Sequence, residues 1–215
     1  MIAALVLAAG ASRRLGRNKL LLPFRGGTVL STTLARVLES PVDRVVLVLG
    51  HEGVLVRRHA GLPDDPRLAT VDNAQWASGM ASSLRTGLAA CPEAEAAIVA
   101  LGDQPDVEAA TVARLVDAFR AGAPLAVPVH ADGTARGGER VGHPVLFGRA
   151  LFAELGALEG DTGARQVVER HWASAARVAG VPLRDVDTEA DYVALVAGTP
   201  ASGEGLERPK DSPPR

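Results

Sequence analysis

A single cysteine, Cys91, and an aromatic content of 3% are the scarcest features of this 215-residue chain. One thiol cannot close an internal disulfide, so the fold must hold by packing, and the chain fits a reducing, cytoplasmic compartment. Cys91 itself reads as a small buried hydrophobe rather than a catalytic thiol. A charge excess is also lacking. Lys and Arg number 23 against 25 Asp and Glu, a formal net charge of −2, whereas a nucleic-acid or anionic-membrane binder needs a large basic surplus. No apolar stretch approaches the roughly 20 residues that span a bilayer. The apolar start, residues 1–9, has no basic region before it, so it reads as a strand rather than a signal peptide. His51 and His59 have no ligand pair at metal spacing and read as surface residues.

What is present is a hydrophobic fraction of 47%, enough for one well-buried domain over residues 1–198. From residue 199 the composition turns to Pro, Gly, Ser and charge, and 199–215 is expected to be a disordered C-terminal tail. Apolar runs at 2–8, 44–50, 68–71, 96–101, 124–129 and 176–183 read as strands. Helical stripes at 28–39, 52–60 and 107–119 fall between them, with others opening near Ser78, Asp161 and Thr188. This alternation predicts a three-layer α/β sandwich with a mostly parallel sheet.

The organising stretch is Leu7-Ala8-Ala9-Gly10-Ala11-Ser12-Arg13-Arg14-Leu15-Gly16-Arg17-Asn18-Lys19. In open α/β sheets ligands settle at the carboxyl ends of strands, and this loop begins at one. Small residues let backbone amides approach an anion, and Arg13, Arg14, Arg17 and Lys19 add fixed positive charge, so the loop reads as a triphosphate cradle. It is not a Walker A loop: five residues separate Gly10 from Gly16, and Lys19 comes three later.

Farther on, polar groups cluster in Asp72-Asn73-Ala74-Gln75-Trp76-Ala77-Ser78-Gly79 at the start of a helix whose apolar face is read as Met80, Leu84 and Leu88. Hydroxyls and amides there suit an anion or a base edge. Asp103 lies directly past the strand at 96–101 and before Pro105, so its carboxylate should enter the same crevice and suit Mg²⁺ on a triphosphate. The cap of the next helix would fall to Asp106. Residues 130–139 read as a glycine-rich flap.

The first loop, continued through Leu20-Leu21-Leu22-Pro23, resembles the signature of the MobA-like NTP transferases, and most of all the molybdenum cofactor cytidylyltransferases. Five later segments are similar to that family in the same order: Asn73 to Ser83, Gly102-Asp103-Gln104-Pro105, Gly142-His143-Pro144, Gly160 to Arg165, and Val186 to Tyr192. Together the resemblance spans roughly residues 2–196. It implies a Rossmann-like nucleotidyltransferase fold with a mixed sheet. The implied reaction is transfer of CMP from CTP to molybdopterin carrying molybdenum, releasing pyrophosphate.

In that comparison Leu7, Ala8, Ala9, Gly10, Ser12, Asn73, Ser78, Gly79 and Ser82 bind the nucleotide, and Arg13 and Lys19 hold the leaving pyrophosphate. Asp103 and Asp187 hold Mg²⁺, while His143, Asp161 and Arg165 meet the acceptor. A molybdenum hydroxylase or its maturation factor is the implied partner, with no nucleic acid or membrane involved. The guanylyl-transferring relatives have Leu-Ala-Gly-Gly where this chain has Leu-Ala-Ala-Gly. Other acceptors remain open: a sugar phosphate, guanylyl transfer to molybdopterin, or a chaperone that retains the finished cofactor without turnover.

Overall fold

A computed structural model describes residues 1–131 and 139–198; the expected flap, apart from its first two residues and its last, and the expected tail lie outside the described residues. The centre of the molecule is β1 (Ile2–Ala8), buried at all seven positions. A parallel strand covered on both faces reads as a continuous apolar run, which is why this one needs no alternation. Ile2, Ala4, Val6 and Ala8 face one core and Ala3, Leu5 and Leu7 the other.

After β1 come a short hairpin, β2 (Pro23–Phe24) and β3 (Gly27–Thr28), then α1 (Val29–Leu38), β4 (Arg44–Leu49), α2 (Gly53–His59) and β5 (Leu68–Asp72). Next are α3 (Met80–Ala89), β6 (Ala96–Leu101), α4 (Ala109–Arg120) and β7 (Leu125–Ala131). The chain closes with β8 (Glu139–Val141), β9 (Val145–Gly148), α5 (Phe152–Gly156), α6 (Arg165–Arg170), β10 (Ala176–Ala179) and α7 (Glu189–Val196).

The main sheet has the order β10-β7-β9-β6-β1-β4-β5, with β8 paired to β7. β1 runs parallel to both β4 and β6, and only β8 and β9 are antiparallel to their neighbours. This is the three-layer, mostly parallel mixed sheet that the sequence predicts. The order reverses at β1, since the chain passes outward through β4 and β5 and returns to β6 on the other side. The carboxyl ends of β1 and β6 therefore border a switch-point crevice, the usual place for a ligand in such sheets.

Three local devices shape that crevice. The hydroxyl of Thr28 accepts from the Ser31 amide and the Ser31 hydroxyl accepts from the Thr28 amide, a reciprocal cap that starts α1. Inside that helix the buried Thr33 hydroxyl donates to Val29 O at 2.9 Å and Gly102 O at 3.1 Å, tying α1 to the end of β6. A third small core of Leu22, Phe24, Val29, Val186 and Leu195 docks α7 on the hairpin, which returns the segment before α7 to the first loop.

Several expectations shift. The strand expected to reach 183 ends at Ala179, because Val181-Pro182 follows and proline cannot donate to the ladder. α4 begins two residues late with Glu108 at its cap position, and Asp106 pairs instead with Arg184 at 2.6 Å. α6 starts after Ala164 with no side-chain cap, so neither Asp161 nor Thr162 caps it. Met80 is 39% exposed and turned from the core, whereas Leu84 is fully buried. Cys91 is fully buried and packed in the second core, as its composition suggests. Among the described residues no helix is long and apolar enough to cross a membrane.

Candidate active site

A cleft of about 550 Å³ opens at the carboxyl ends of β1 and β6. It is lined by Leu7, Ala8, Ala9, Gly10, Ser12, Arg13, Lys19, Gly79, Asp103, Asp161 and Asp187 of the expected residues, so both loops and the pre-α7 segment meet there. The first loop folds back on itself: Ser12, at φ 48, accepts from the amides of Leu15 and Gly16 through its carbonyl. Its hydroxyl accepts from the Lys19 amide at 3.2 Å. That turn carries the Lys19 ammonium between two carboxylates, in contact with Asp103 and 2.9 Å from Asp187 Oδ1.

The other basic residues of the loop divide their work. Arg14 Nη2 lies 2.7 Å from Asp187 Oδ2, and Arg17 pairs with Glu189 at 2.7 Å and lies over the Tyr192 ring. Arg13 lines the cleft and, among the described residues, makes no ion pair there. Burial alone would raise the Asp187 carboxyl, but Lys19 and Arg14 outweigh it and hold Asp187 below the usual carboxylate range. Burial would likewise lower Lys19, yet Asp103 and Asp187 together raise it above the ordinary lysine value. Both shifts favour the charged forms of Lys19 and Asp187.

Asp185 is the cleft residue that the sequence argument missed. Val186 is fully buried in the small third core, and in an extended chain the residues on either side of it point the other way, so Asp185 and Asp187 share the cleft face. The pattern Asp-Val-Asp was the available signal. Gln104 Nε2 donates to Asp185 Oδ1 at 2.6 Å, while burial pushes the Asp185 carboxyl up. Trp76 and Ser83 also line the cleft, and the Trp76 ring meets His51 edge-on at 4.9 Å between centroids.

Five expected contacts do not reach the cleft wall. Asn73 Nδ2 donates to the hydroxyls of Ser82 and Ser83 at 2.8 and 3.0 Å, and its Oδ1 accepts from the Gln75 amide. Ser82 donates to Gln75 O and Gly79 O. Both side chains are buried, so they hold the start of α3 in place instead of meeting a base edge directly. Ser78 donates to Gln75 O on the exposed side. Arg165 is 88% exposed and paired with Glu169, well suited to solvent and outside the cleft lining. His143 lies outside the cleft lining, and burial lowers it below the ordinary histidine value against the opposing pull of Asp185. Its Nδ1 is buried with no hydrogen-bond partner among the described residues.

Asp161 reaches the cleft through a close backbone approach. Gly79 has φ +108, and a Cβ there would lie 2.2 Å from the Gly160 carbonyl carbon and 2.6 Å from the Asp161 amide nitrogen. Gly79→Ala is expected to lower stability by more than about 2 kcal/mol, from left-handed strain and this clash combined. Gly10→Ala, with open space around the site, is expected to stay within roughly 0.5 kcal/mol. Denaturant midpoints at constant slope check both.

The deciding comparison is with sequence families. The family model described as MobA-like NTP transferase domain matches residues 4–176. The chain belongs to this family. Among its relatives is a nicotine blue oxidoreductase of Paenarthrobacter nicotinovorans, 37% identical over 166 residues, which cover 76% of this chain and 79% of that protein. The molybdenum cofactor cytidylyltransferase of Escherichia coli is 26% identical over 191 residues, covering 88% and 92%. In structure, Rv0371c from Mycobacterium tuberculosis superimposes with a TM-score of 0.77 at 37% identity over 91% of this chain and 97% of that one. The same protein, solved as a complex with manganese, gives 0.74 at 35% identity over 92% and 99%. The chain's relatives thus include both a protein named as a cytidylyltransferase and one named for a redox reaction.

Proposed function

We propose that this member of the family transfers CMP from CTP to the terminal phosphate of a molybdopterin-type acceptor. The observation that carries the proposal is the charge arrangement in the cleft: Arg13 lines it, and the Lys19 ammonium sits between the carboxylates of Asp103 and Asp187. Cations there suit a triphosphate, and the hard carboxylates would hold a divalent cation that accompanies it. The donor set suits Mg²⁺, which one or two carboxylates hold together with phosphates and waters. The Lys19 ammonium already stands as a cation between those two carboxylates. Mg²⁺ bound by Asp103 and Asp187 would neutralise phosphate charge.

The chain's own residues do the rest. An acceptor phosphate oxygen bonds to the α-phosphorus of CTP as the bond to the leaving pyrophosphate breaks, with no covalent enzyme intermediate. Phosphoryl chemistry depends mainly on positioning and charge. Arg13 and Lys19 hold the pyrophosphate where negative charge grows, and Asp161 borders the acceptor side. In this proposal residues 1–198 form the transferase domain and 199–215 a tail. The enzyme works in the cytoplasm and passes its product to a molybdenum hydroxylase or its maturation factor.

Pyrophosphate release with CTP, Mg²⁺ and molybdopterin, each omitted in turn, is the test. Release that requires all three supports the proposal, and release with a sugar phosphate in place of molybdopterin would redirect it. Arg13→Ala is expected to lower kcat about 10²–10³-fold, the usual loss for one preorganised charge-stabilising donor, at unchanged melting temperature. A second reading, oxidoreduction, is favoured by the 37% identity to the redox-named relative. Reduction of a dye by an added reductant that depends on the protein, with no pyrophosphate release from CTP, would select it.

A further inference from the structure

We infer that Lys19 is a built-in stand-in for the divalent cation, so that the ion and the ammonium compete for Asp103 and Asp187 until a nucleotide draws Lys19 away. This rests on the proposed function for the existence of the ion, and goes beyond it in assigning Lys19 two successive positions.

The geometry carries the inference. The Lys19 side chain is 16% exposed, and its ammonium bridges Asp103, 13% exposed, and Asp187 at 2.9 Å. Two carboxylates brought together without a cation would repel, and Asp103, the more enclosed of the two, would also be costly to desolvate. With the ammonium present the pair is stable, and a cation of any kind entering between them meets a positive charge already there. Arg14 is a weaker obstacle, because it touches only Asp187 and is 72% exposed. A lysine is suited to moving: its charge sits on a flexible four-carbon stem with rotatable donors, unlike the rigid arginine fork. The cleft supplies its second position, since Arg13 already lines it and a triphosphate there would present oxygens to both side chains. Phosphate then replaces carboxylate as the partner of Lys19, and the carboxylates are released to the ion. Ion and nucleotide consequently bind with positive coupling, and coupling of this kind is reciprocal.

Mn²⁺ alone is the probe, titrated against the nucleotide-free full chain and followed by loss of the free-ion paramagnetic resonance signal. Lys19→Met is expected to bind Mn²⁺ at least about tenfold more tightly than the unaltered protein, the scale on which one adjacent charge shifts a carboxylate's affinity for a proton. Arg14→Met is expected to gain less, and adding Asp103→Asn to Lys19→Met removes the gain. Equal or weaker binding by Lys19→Met, with binding still lost in Asp103→Asn, overturns the inference and leaves the metal assignment standing. No dependence on Asp103 in any variant overturns both.

Should Lys19→Met unfold, the unaltered protein carries the test through amine acetylation. The chain has two lysines, Lys19 and Lys210, so Lys210 serves as the internal reference. Mn²⁺ is expected to speed acetylation of Lys19 relative to Lys210 by about tenfold, on the same scale. An unchanged ratio at saturating Mn²⁺ overturns the inference.

Discussion

Asp103→Asn is expected to lower kcat/KM by at least about 10³-fold, roughly 4 kcal/mol of transition-state stabilisation, while the protein stays folded. The carboxylate follows β6 at the switch point, fixed from behind by the hydrogen bonds Gly102 N to Leu7 O and Thr33 Oγ1 to Gly102 O. Asparagine keeps the shape and removes the charge, so Lys19 loses one of its two carboxylates and the proposed cation site would lose one of its two anchors. The loss should not be restored by raising Mg²⁺ to a few millimolar, because the ligand that is missing is on the protein. Asp106→Asn makes the contrast. Asp106 and Arg184 are 17% and 16% exposed and lie 2.6 Å apart, outside the cleft lining, and Arg25 approaches at 3.7 Å. Removing that charge is expected to lower stability by roughly 1–3 kcal/mol, as for an enclosed charged group that loses its partner, with kcat unchanged. Full metal-dependent turnover by Asp103→Asn would move the site elsewhere.

The elements nearest the cleft were the most legible, and for a physical reason. A strand buried on both faces leaves a run such as Ile2 to Ala8 with no polar interruption, and a loop that must admit an anion is forced toward small residues and basic charge. The alternation of strand and helix then yields the layer architecture, and Asp103 follows from its position after β6. What sequence did not display was the outcome of competition between partners. Asn73, Ser82, Ser78 and Arg165 all carry groups able to meet a ligand, but each has a nearer partner in the folded chain: Ser83, Gln75, Gln75 again and Glu169. Asp106 was read as a helix cap because Arg184, 78 residues away, is invisible to local spacing. Met80 fits a helical apolar stripe by period, yet α3 begins at the crevice, so its first residue faces the cleft rather than the core. Asp185 was missed because a residue's direction depends on which neighbour is buried. That neighbour, Val186, is placed by contacts with Leu22 and Phe24 from the other end of the chain.

CTP is expected to be preferred over GTP by at least about 10² in kcat/KM, and Ala9→Gly to narrow that ratio without reversing it. The resemblance to cytidylyl- rather than guanylyl-transferring relatives motivates the direction, and the geometry suggests how one methyl group acts. Ala9 lines the cleft but is only 8% exposed, and its methyl is turned toward Gly50. A Cβ built on Gly50 would lie 2.7 Å from that methyl and 2.5 Å from Trp76 Cβ, so the three residues meet with no spare volume. The methyl therefore fixes the wall on which Trp76 stands and restricts how far the ring can retreat before a larger base. Removing it frees about one methyl's worth of space, and a methylene-sized change in a pocket is worth on the order of 1–3 kcal/mol, some 10–200-fold. Polar readout must supply the rest. With Asn73 and Ser82 saturated inside the protein, it falls to the backbone around Ala8 and Gly10 and to the Ser83 hydroxyl. Backbone readout survives side-chain truncation, which is why Ala9→Gly should weaken the preference and leave its sign. Competition kinetics with both nucleotides at fixed Mg²⁺ measures the ratio directly. Equal kcat/KM for CTP and GTP in the unaltered protein would make a guanylyl or nonspecific transferase the better description of this cleft.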